Sequence, residues 1–445
     1  MVTIPLVQGY APGGVFAYRH GRTVTVEAFL REAARLADRL PERRHVMNLC
    51  TDRYRFTVGL AAAVMRSQIT LLPPNETPDL IARLVRQYPD AYCLVEGEAP
   101  PAPIKSVAFP EEPATATAPP RVPVVAEQQP AVIMFTSGST GQPVPYPKTF
   151  GSLVRTAHAE CEMLGLHGWP GLAMLGTVPP QHAFGLESTV MIGMRCGYAQ
   201  HAGRPFFPAD VRAELASLPR PRALVTTPVH LRVLLAEADE LPTADFLLCA
   251  TAPLSPQLAA AAEARFGAPL HEIYGCTESG GIATRRTVHG AEWRAMRDVT
   301  LRSDGRGTWV RGGPVETEVL LADVIELRSR GEFLLHGRSG DLVNIAGKRT
   351  SLAHLNYHLN SIEGVRDGVF VAPEADGESV ARLTAYVVAP GLSSESLMGA
   401  LRQRIDGVFL PRPLHFVDAL PRNATGKLPR QALDELDAGL ARKTG

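Results

Sequence analysis

Short apolar runs alternate with helix-patterned stretches over the first hundred residues, and this alternation constrains the fold more than any other feature of the chain. Val46-Met47-Asn48-Leu49, Thr70-Leu71-Leu72-Pro73 and Tyr92-Cys93-Leu94-Val95 read as buried strands; Thr57 to Met65 and Pro78 to Gln87 between them read as helices. Ahead of them, Val15-Phe16-Ala17-Tyr18 runs into the turn His20-Gly21-Arg22. Thr25 then caps a helix that carries Phe29, Ala33, Leu36 and Leu40 on one face. Strands and helices in alternation predict an α/β fold with a largely parallel, doubly wound sheet.

At 445 residues the chain is too long for one compact core, so two or more domains are expected. A formal net charge of zero leaves no electrostatic footprint for nucleic acid or an anionic membrane, and points to small-molecule chemistry. No apolar stretch approaches the roughly eighteen residues a membrane span needs, and no signal peptide is legible at the N-terminus. Cys50, Cys93, Cys161, Cys196, Cys249 and Cys276 are scattered with no C-x-x-C pair, which argues against a zinc site or a disulfide framework and for a reducing cytoplasm. From Glu98 to Pro130 the chain turns to Pro, Ala, Glu and Thr and reads as an exposed connector. Past Gly337-Arg338-Ser339-Gly340-Asp341 the texture changes again. Strands at Val369 to Val371, Leu383 to Val388 and Leu414 to Val417, with a helix from Ser394 to Ile405, predict a small α+β lobe. The boundaries read as 1–338 for a large lobe and 339–445 for the small one.

The candidate chemistry sits in loops that follow strands. Ala131-Val132-Ile133-Met134 leads into Phe135-Thr136-Ser137-Gly138-Ser139-Thr140-Gly141, whose hydroxyls and backbone N–H groups suit a phosphate. It is not the kinase-type loop, since no lysine follows the second glycine; the nearest is Lys148. Ala223 to Pro228 and Phe246 to Cys249 are short strands whose ends, the latter closed by Ala250-Thr251-Ala252-Pro253-Leu254, resemble the rim of a ligand crevice. His271-Glu272-Ile273-Tyr274-Gly275-Cys276-Thr277-Glu278 puts a flat ring, a hydroxyl and a hard oxygen ligand at one rim. His182 lies in the turn Pro179 to Gly185. His158-Ala159-Glu160-Cys161 has ligand-type side chains, but adjacent helical positions face apart, so no metal site is assigned there.

Taken together and in order, these stretches resemble the adenylate-forming superfamily of acyl- and aryl-CoA synthetases, peptide-synthetase adenylation domains and luciferases. Phe135 to Gly141 resembles its phosphate loop and Tyr274-Gly275-Cys276-Thr277-Glu278 its Tyr-Gly-x-Thr-Glu motif. Gly337-Arg338 resembles its hinge-adjacent arginine, and Asn423-Ala424-Thr425-Gly426-Lys427 its catalytic lysine loop. The resemblance implies a large N-terminal lobe of doubly wound sheets with a small mobile C-terminal lobe, and ATP and Mg²⁺ as cofactors. It implies that Thr136, Ser137, Gly138, Ser139, Thr140 and Gly141 hold phosphates, that Thr277 meets the α-phosphate and that Glu278 binds Mg²⁺. Tyr274 would lie against the adenine, Asp323 would take the ribose with help from Arg338, and Ala252 would border the nucleotide. His182 and Gly275 would line the acid, Lys427 would bridge carboxylate and α-phosphate, and Gly340 or Asp341 would be the hinge.

The sequence departs from the family in placing Pro143-Val144-Pro145-Tyr146-Pro147 before Lys148, in writing Leu321-Ala322-Asp323 for Thr-Gly-Asp, in its glycine at the hinge and in a short large lobe. Compact members of this kind are most similar to aryl- or acyl-(carrier protein) ligases of aryl-polyene-type pathways. The implied reaction joins a small aromatic acid, such as a hydroxybenzoate, through an acyl-adenylate to the pantetheine thiol of an acyl carrier protein or CoA. A non-thiol acceptor and a non-catalytic binding role are the competing readings; retention of both Glu278 and Lys427 speaks against the second.

Overall fold

In a computed structural model, the residues described are 2–97, 104–110, 121–137, 143–237, 240–338, 342–345, 348–372, 382–422, 428 and 430–444. The α/β alternation builds two sheets. In the first, six strands run in the order Pro143–Thr149, Pro130–Ser137, Ile69–Leu72, His45–Asn48, Tyr92–Val95 and Ser106–Ala108. All neighbours pair parallel except Pro143–Thr149, which folds back antiparallel on Pro130–Ser137. The second sheet has eleven strands around a parallel centre of Leu270–Cys276, Phe246–Cys249, Arg222–Thr226, Ala173–Gly176, Ala199–His201 and Val15–Arg19. Antiparallel strands Gly280–Arg285, Trp293–Ala295, Glu332–Arg338 and Asp323–Leu327 extend one end.

Successive strand residues point to opposite faces, so both faces of each sheet must be covered. Val46, Leu72, Tyr92 and Val132 of the first sheet share one apolar cluster with Phe16, Met174, Val225 and Ile273 of the second, joined through the helices Val26–Ala37, Arg53–Met65 and Phe150–Met163. The alternate residues Met47, Leu71, Cys93 and Ile133 pack on Ile81 and Leu84 instead. Leu175, Leu224 and Leu247 likewise pack on Leu231, Ala259 and Phe266. A separate cluster of Leu355, Leu359, Phe370, Val387, Leu397 and Leu401 lies in the C-terminal region.

Side chains at helix starts set where the helices begin. Thr25 caps Val26–Ala37 by accepting from Ala28 N, as expected. Asp52 accepts from Arg55 N, so the second helix begins at Arg53 and not at Thr57. Arg53 is fully buried and joins distant elements: it donates to Thr189 Oγ1 at 2.7 Å, Gly176 O at 2.8 Å and Val178 O at 2.9 Å. Burial lowers its pKa to about 9, leaving it charged at neutral pH. A Cβ at Gly176 would lie 2.6 Å from Arg53 Nη2, so that position excludes a side chain.

Two expectations are corrected. The stretch from Glu98 to Pro130 is not wholly an exposed connector. Ser106–Ala108 pairs parallel with Tyr92–Val95, Val124–Ala126 pairs with Thr3–Pro5, and Phe109 and Val125 are buried. An edge strand needs few large apolar residues, so composition hid both. Cys161 and Cys196, read as unpaired, are joined as a disulfide where the helix Phe150–Met163 meets the short helix Ile192–Cys196. Their separation of 35 residues carries no local signal. Among the described residues, no helix is long and apolar enough to cross a membrane.

Candidate active site

The parallel strands of the second sheet end at one rim, where open α/β sheets bind ligands. Leu270–Cys276 passes Thr277, Glu278 and Ser279 and returns antiparallel as Gly280–Arg285, with Gly275 opposite Gly281. A Cβ at Gly275 would lie 2.2 Å from Gly280 O, so the close return requires glycine there. Tyr274 is buried, its ring 5.6 Å from that of Trp293 and 5.8 Å from that of Phe333. Its hydroxyl donates to Asp323 Oδ2 at 2.8 Å. Two residues singled out forty-nine positions apart are thus in direct contact. Asp323 also faces Arg338 across the pair of strands Asp323–Leu327 and Glu332–Arg338.

The next strand, Phe246–Cys249, ends in a loop where Thr251 holds a left-handed φ of +83°, a strained setting for a β-branched residue. Ala252 beside it borders a cavity of about 280 Å³ with Arg232, Leu254, Asn356, Tyr357 and Phe370. Thr136 and Glu278 meet at Tyr146. Burial first, then the Glu278 charge, push the Tyr146 phenol up, while a hydrogen bond with Thr136 pulls it down. Lys148 is buried and donates from Nζ to the backbone carbonyl of Glu278 at 2.6 Å. His182 is half-buried and its Nδ1 accepts from Phe184 N at 3.3 Å, closing the turn it was assigned to. Gly138, Ser139, Thr140, Gly141, Gly340, Asp341 and Lys427 lie outside the described residues, as do the side chains of Ser137 and Arg338.

Sequence reasoning missed a buried acid pair behind the turn. Ser188 Oγ donates to Glu160 Oε2 at 2.8 Å, and Gly281 N donates to Glu187 Oε2 at 3.1 Å. Gly280 and Gly281 make room for them: added Cβ atoms would lie 2.9 Å from Glu187 Oε1 and 3.0 Å from Glu160 Oε1. The available signal was a glycine pair following Glu278-Ser279 and an acid inside an apolar run. Burial pushes Glu160 well above the carboxylate range. It takes Glu187 from an ordinary 4.5 to about 7, against the opposing pull of Lys148. His230 was missed as well; it is buried against Thr177 and Thr227 at 3.2 and 3.0 Å, and burial lowers its pKa.

The acid pair has a testable consequence. Both folded pKa values are raised, so the folded chain holds protons that the unfolded chain releases. The stability this gives is present below the unfolded pKa and lost as pH rises through the folded one. Across the window from about 4.5 to about 7 for Glu187, the wild-type melting temperature should carry a falling component that Glu187→Gln flattens. Identical pH profiles for the two proteins would count against the buried acid.

The donor set at the rim also bears on metal. Among the described residues no group of three or more His, Cys, Asp or Glu side chains converges as a metal cage. One half-buried carboxylate, Glu278, fits a Mg²⁺ ion held mainly by substrate phosphates and water.

Known proteins share this architecture. Residues 11–339 match the family model for AMP-binding enzyme. A 4-coumarate–CoA ligase of Rhodobacter capsulatus is 29% identical over 299 residues, covering 66% of this chain and 74% of the relative. A 3-hydroxybenzoate–CoA/4-hydroxybenzoate–CoA ligase of Thauera aromatica is 25% identical over 357 residues, 70% of this chain and 67% of the relative. Among solved structures, the o-succinylbenzoate coenzyme A synthetase of Bacillus subtilis in complex with AMP superposes with a TM-score of 0.77 at 19% identity, covering 97% of this chain and 98% of that one. At that identity the superposition speaks for the fold.

Proposed function

Since this chain belongs to the AMP-binding enzyme family of adenylate-forming proteins, we propose that it activates a carboxylic acid with ATP and passes the acyl group to a pantetheine thiol. The acid carboxylate attacks the α-phosphate, the bond to pyrophosphate breaks, and the thiol then displaces AMP from the acyl-adenylate. The observation that carries this reading is the meeting of separate chain segments at one rim. Tyr274 contacts Asp323, while Glu278 and Thr136 flank Tyr146.

In this assignment Thr136, Ser137, Gly138, Ser139, Thr140 and Gly141 bind the departing phosphates through hydroxyl and backbone donors. Glu278 would hold Mg²⁺, which when bound offsets phosphate charge. Thr277 orients the α-phosphate, Asp323 with Arg338 takes the ribose, and Tyr274 with Ala252 borders the base. His182 and Gly275 wall the acid. Lys427, placed on a lobe of residues 339–445 that turns against 1–338 at Gly340 or Asp341, neutralises the charge that builds up as carboxylate meets phosphate. The named relatives above act on aromatic acids, which supports a small aromatic acid such as a hydroxybenzoate here. A cytoplasmic location fits the ATP and thiol pools the reaction draws on.

Replacing Tyr274 with phenylalanine keeps the ring packing and removes the bond to Asp323. We expect a loss of about 1 kcal/mol, read as a several-fold rise in KM for ATP with kcat little changed. An unchanged KM would remove Asp323 from the nucleotide site. The acceptor is decided by assaying thioester formation with CoA and with a holo-acyl carrier protein. Thioester on either supports thiol ligation and says which thiol is used; none on both, with adenylate still formed, would overturn the thiol step.

A further inference from the structure

The proposed mechanism gives no task to Lys148, a buried cation in contact with the Glu278 turn. Lys148 lies on the strand Pro143–Thr149, where Val144, Tyr146 and Lys148 share a face. It is 8% exposed, and its ammonium binds the backbone carbonyl of Glu278 at 2.6 Å. Just past that turn, where the chain returns as Gly280–Arg285, the N–H of Gly281 binds Glu187 Oε2 at 3.1 Å. Each of these backbone groups is held by a buried side chain, the Lys148 ammonium on the carbonyl and the Glu187 carboxyl on the N–H.

The return of the chain is shaped around Glu187. Gly280 has a φ of +75°, and a Cβ on it would meet Glu187 Oε1 at 2.9 Å. Glu187 is itself backed by the segment that holds Ser188 against Glu160. The ammonium of Lys148 on the Glu278 carbonyl is a charge-assisted hydrogen bond in a buried setting, stronger than a neutral one, and it fixes direction as well as distance. One of the two anchored residues is Glu278 itself.

We propose that Lys148 and Glu187 are positioning residues for adenylation. As a buried clamp that holds the turn at the Glu278 carbonyl and the returning strand at the Gly281 N–H, they set the direction in which Thr277 and Glu278 are presented. Lys148 acts on the turn and not on phosphate. The inference rests on the role proposed above for Glu278, and it names residues that lie outside the family motifs quoted for this chain.

The test uses the full chain with Lys148→Met, Lys148→Arg, Glu187→Gln and Glu187→Leu. Three quantities are read on each: acid-dependent pyrophosphate exchange against Mg²⁺ concentration, the affinity for ATP with Mg²⁺ and with EDTA, and thioester formation from supplied acyl-adenylate. Lys148→Met and Glu187→Leu should lower exchange and raise the Mg²⁺ concentration needed, each by about 10- to 100-fold. ATP affinity in EDTA and the supplied-adenylate step should stay within a few-fold. Lys148→Arg should recover part of the loss, and Glu187→Gln, which still accepts from Gly281, should lose little.

Wild-type Mg²⁺ dependence in Lys148→Met overturns the clamp, as does an equal loss in both half-reactions and in EDTA-ATP binding. Should Lys148→Met fail to fold, Lys148→Arg and Glu187→Leu decide by the same Mg²⁺ shift. Absence of exchange in the wild type would refute the proposed function instead, and the Mg²⁺-dependent difference in ATP affinity would then decide the clamp alone.

Discussion

Replacing Lys427 with alanine is expected to abolish adenylate formation while leaving thioester formation from a supplied acyl-adenylate within a few-fold of wild type. Two anions, a carboxylate and the α-phosphate, must approach, and an ammonium placed between them stabilises the charge of the transition state far more than that of the separated reactants. A loss of at least about 10²-fold in pyrophosphate exchange is the expected size. The thiol step breaks a bond already activated, and in the proposed second orientation of the small lobe the lysine is elsewhere. The segment just before it is well anchored. Arg422 binds Asp367 through Nε at 2.7 Å and Nη2 at 2.9 Å, and Asp367 also meets Arg232 of the helix Pro228–Glu237 at 3.3 Å. Equal loss of both half-reactions would contradict the two-orientation account.

Glu278→Gln is the second large effect. The substitution keeps the size of the side chain and leaves the backbone carbonyl that Lys148 binds, so the turn should hold its shape. What disappears is the negative charge facing the phosphate-side residues. Exchange should fall by about 10²-fold, with a higher Mg²⁺ requirement and unchanged ATP affinity in EDTA. Full activity at ordinary Mg²⁺ would remove Glu278 as the metal residue and leave it a turn residue.

Much of this arrangement was legible in the sequence because its signals are local. Apolar runs such as Phe246–Cys249 end in glycine, proline or hydroxyl residues, and a strand that stops at such a loop marks a rim. Tyr274 and Asp323 were both singled out, yet their hydrogen bond is a tertiary fact that neither local stretch encodes. Lys148 shows where local reading stops. Flanking prolines made the stretch look like an irregular insertion, whereas it is a regular strand that pairs from Pro143 opposite Ser137 to Lys148 opposite Val132. Its N–H-free prolines sit on the edge of the sheet, where a missing donor costs little. The partners of Glu160 and Glu187 come from turns and helices far along the chain, so their burial had no local signature. The strands between Gly280 and Arg338 escaped for a related reason: many are half-exposed, and their pattern lacks the continuous apolar runs that marked the parallel strands.

The central claim is that the rim built by Thr136, Tyr274, Thr277, Glu278 and Asp323, together with Lys427, makes acyl-adenylates. Pyrophosphate exchange into ATP, measured across a panel of carboxylic acids that includes hydroxybenzoates and other aromatic acids, tests it most directly. Exchange should depend on Mg²⁺ and on one class of small aromatic acid; no exchange with any acid in the panel would contradict adenylation at this rim.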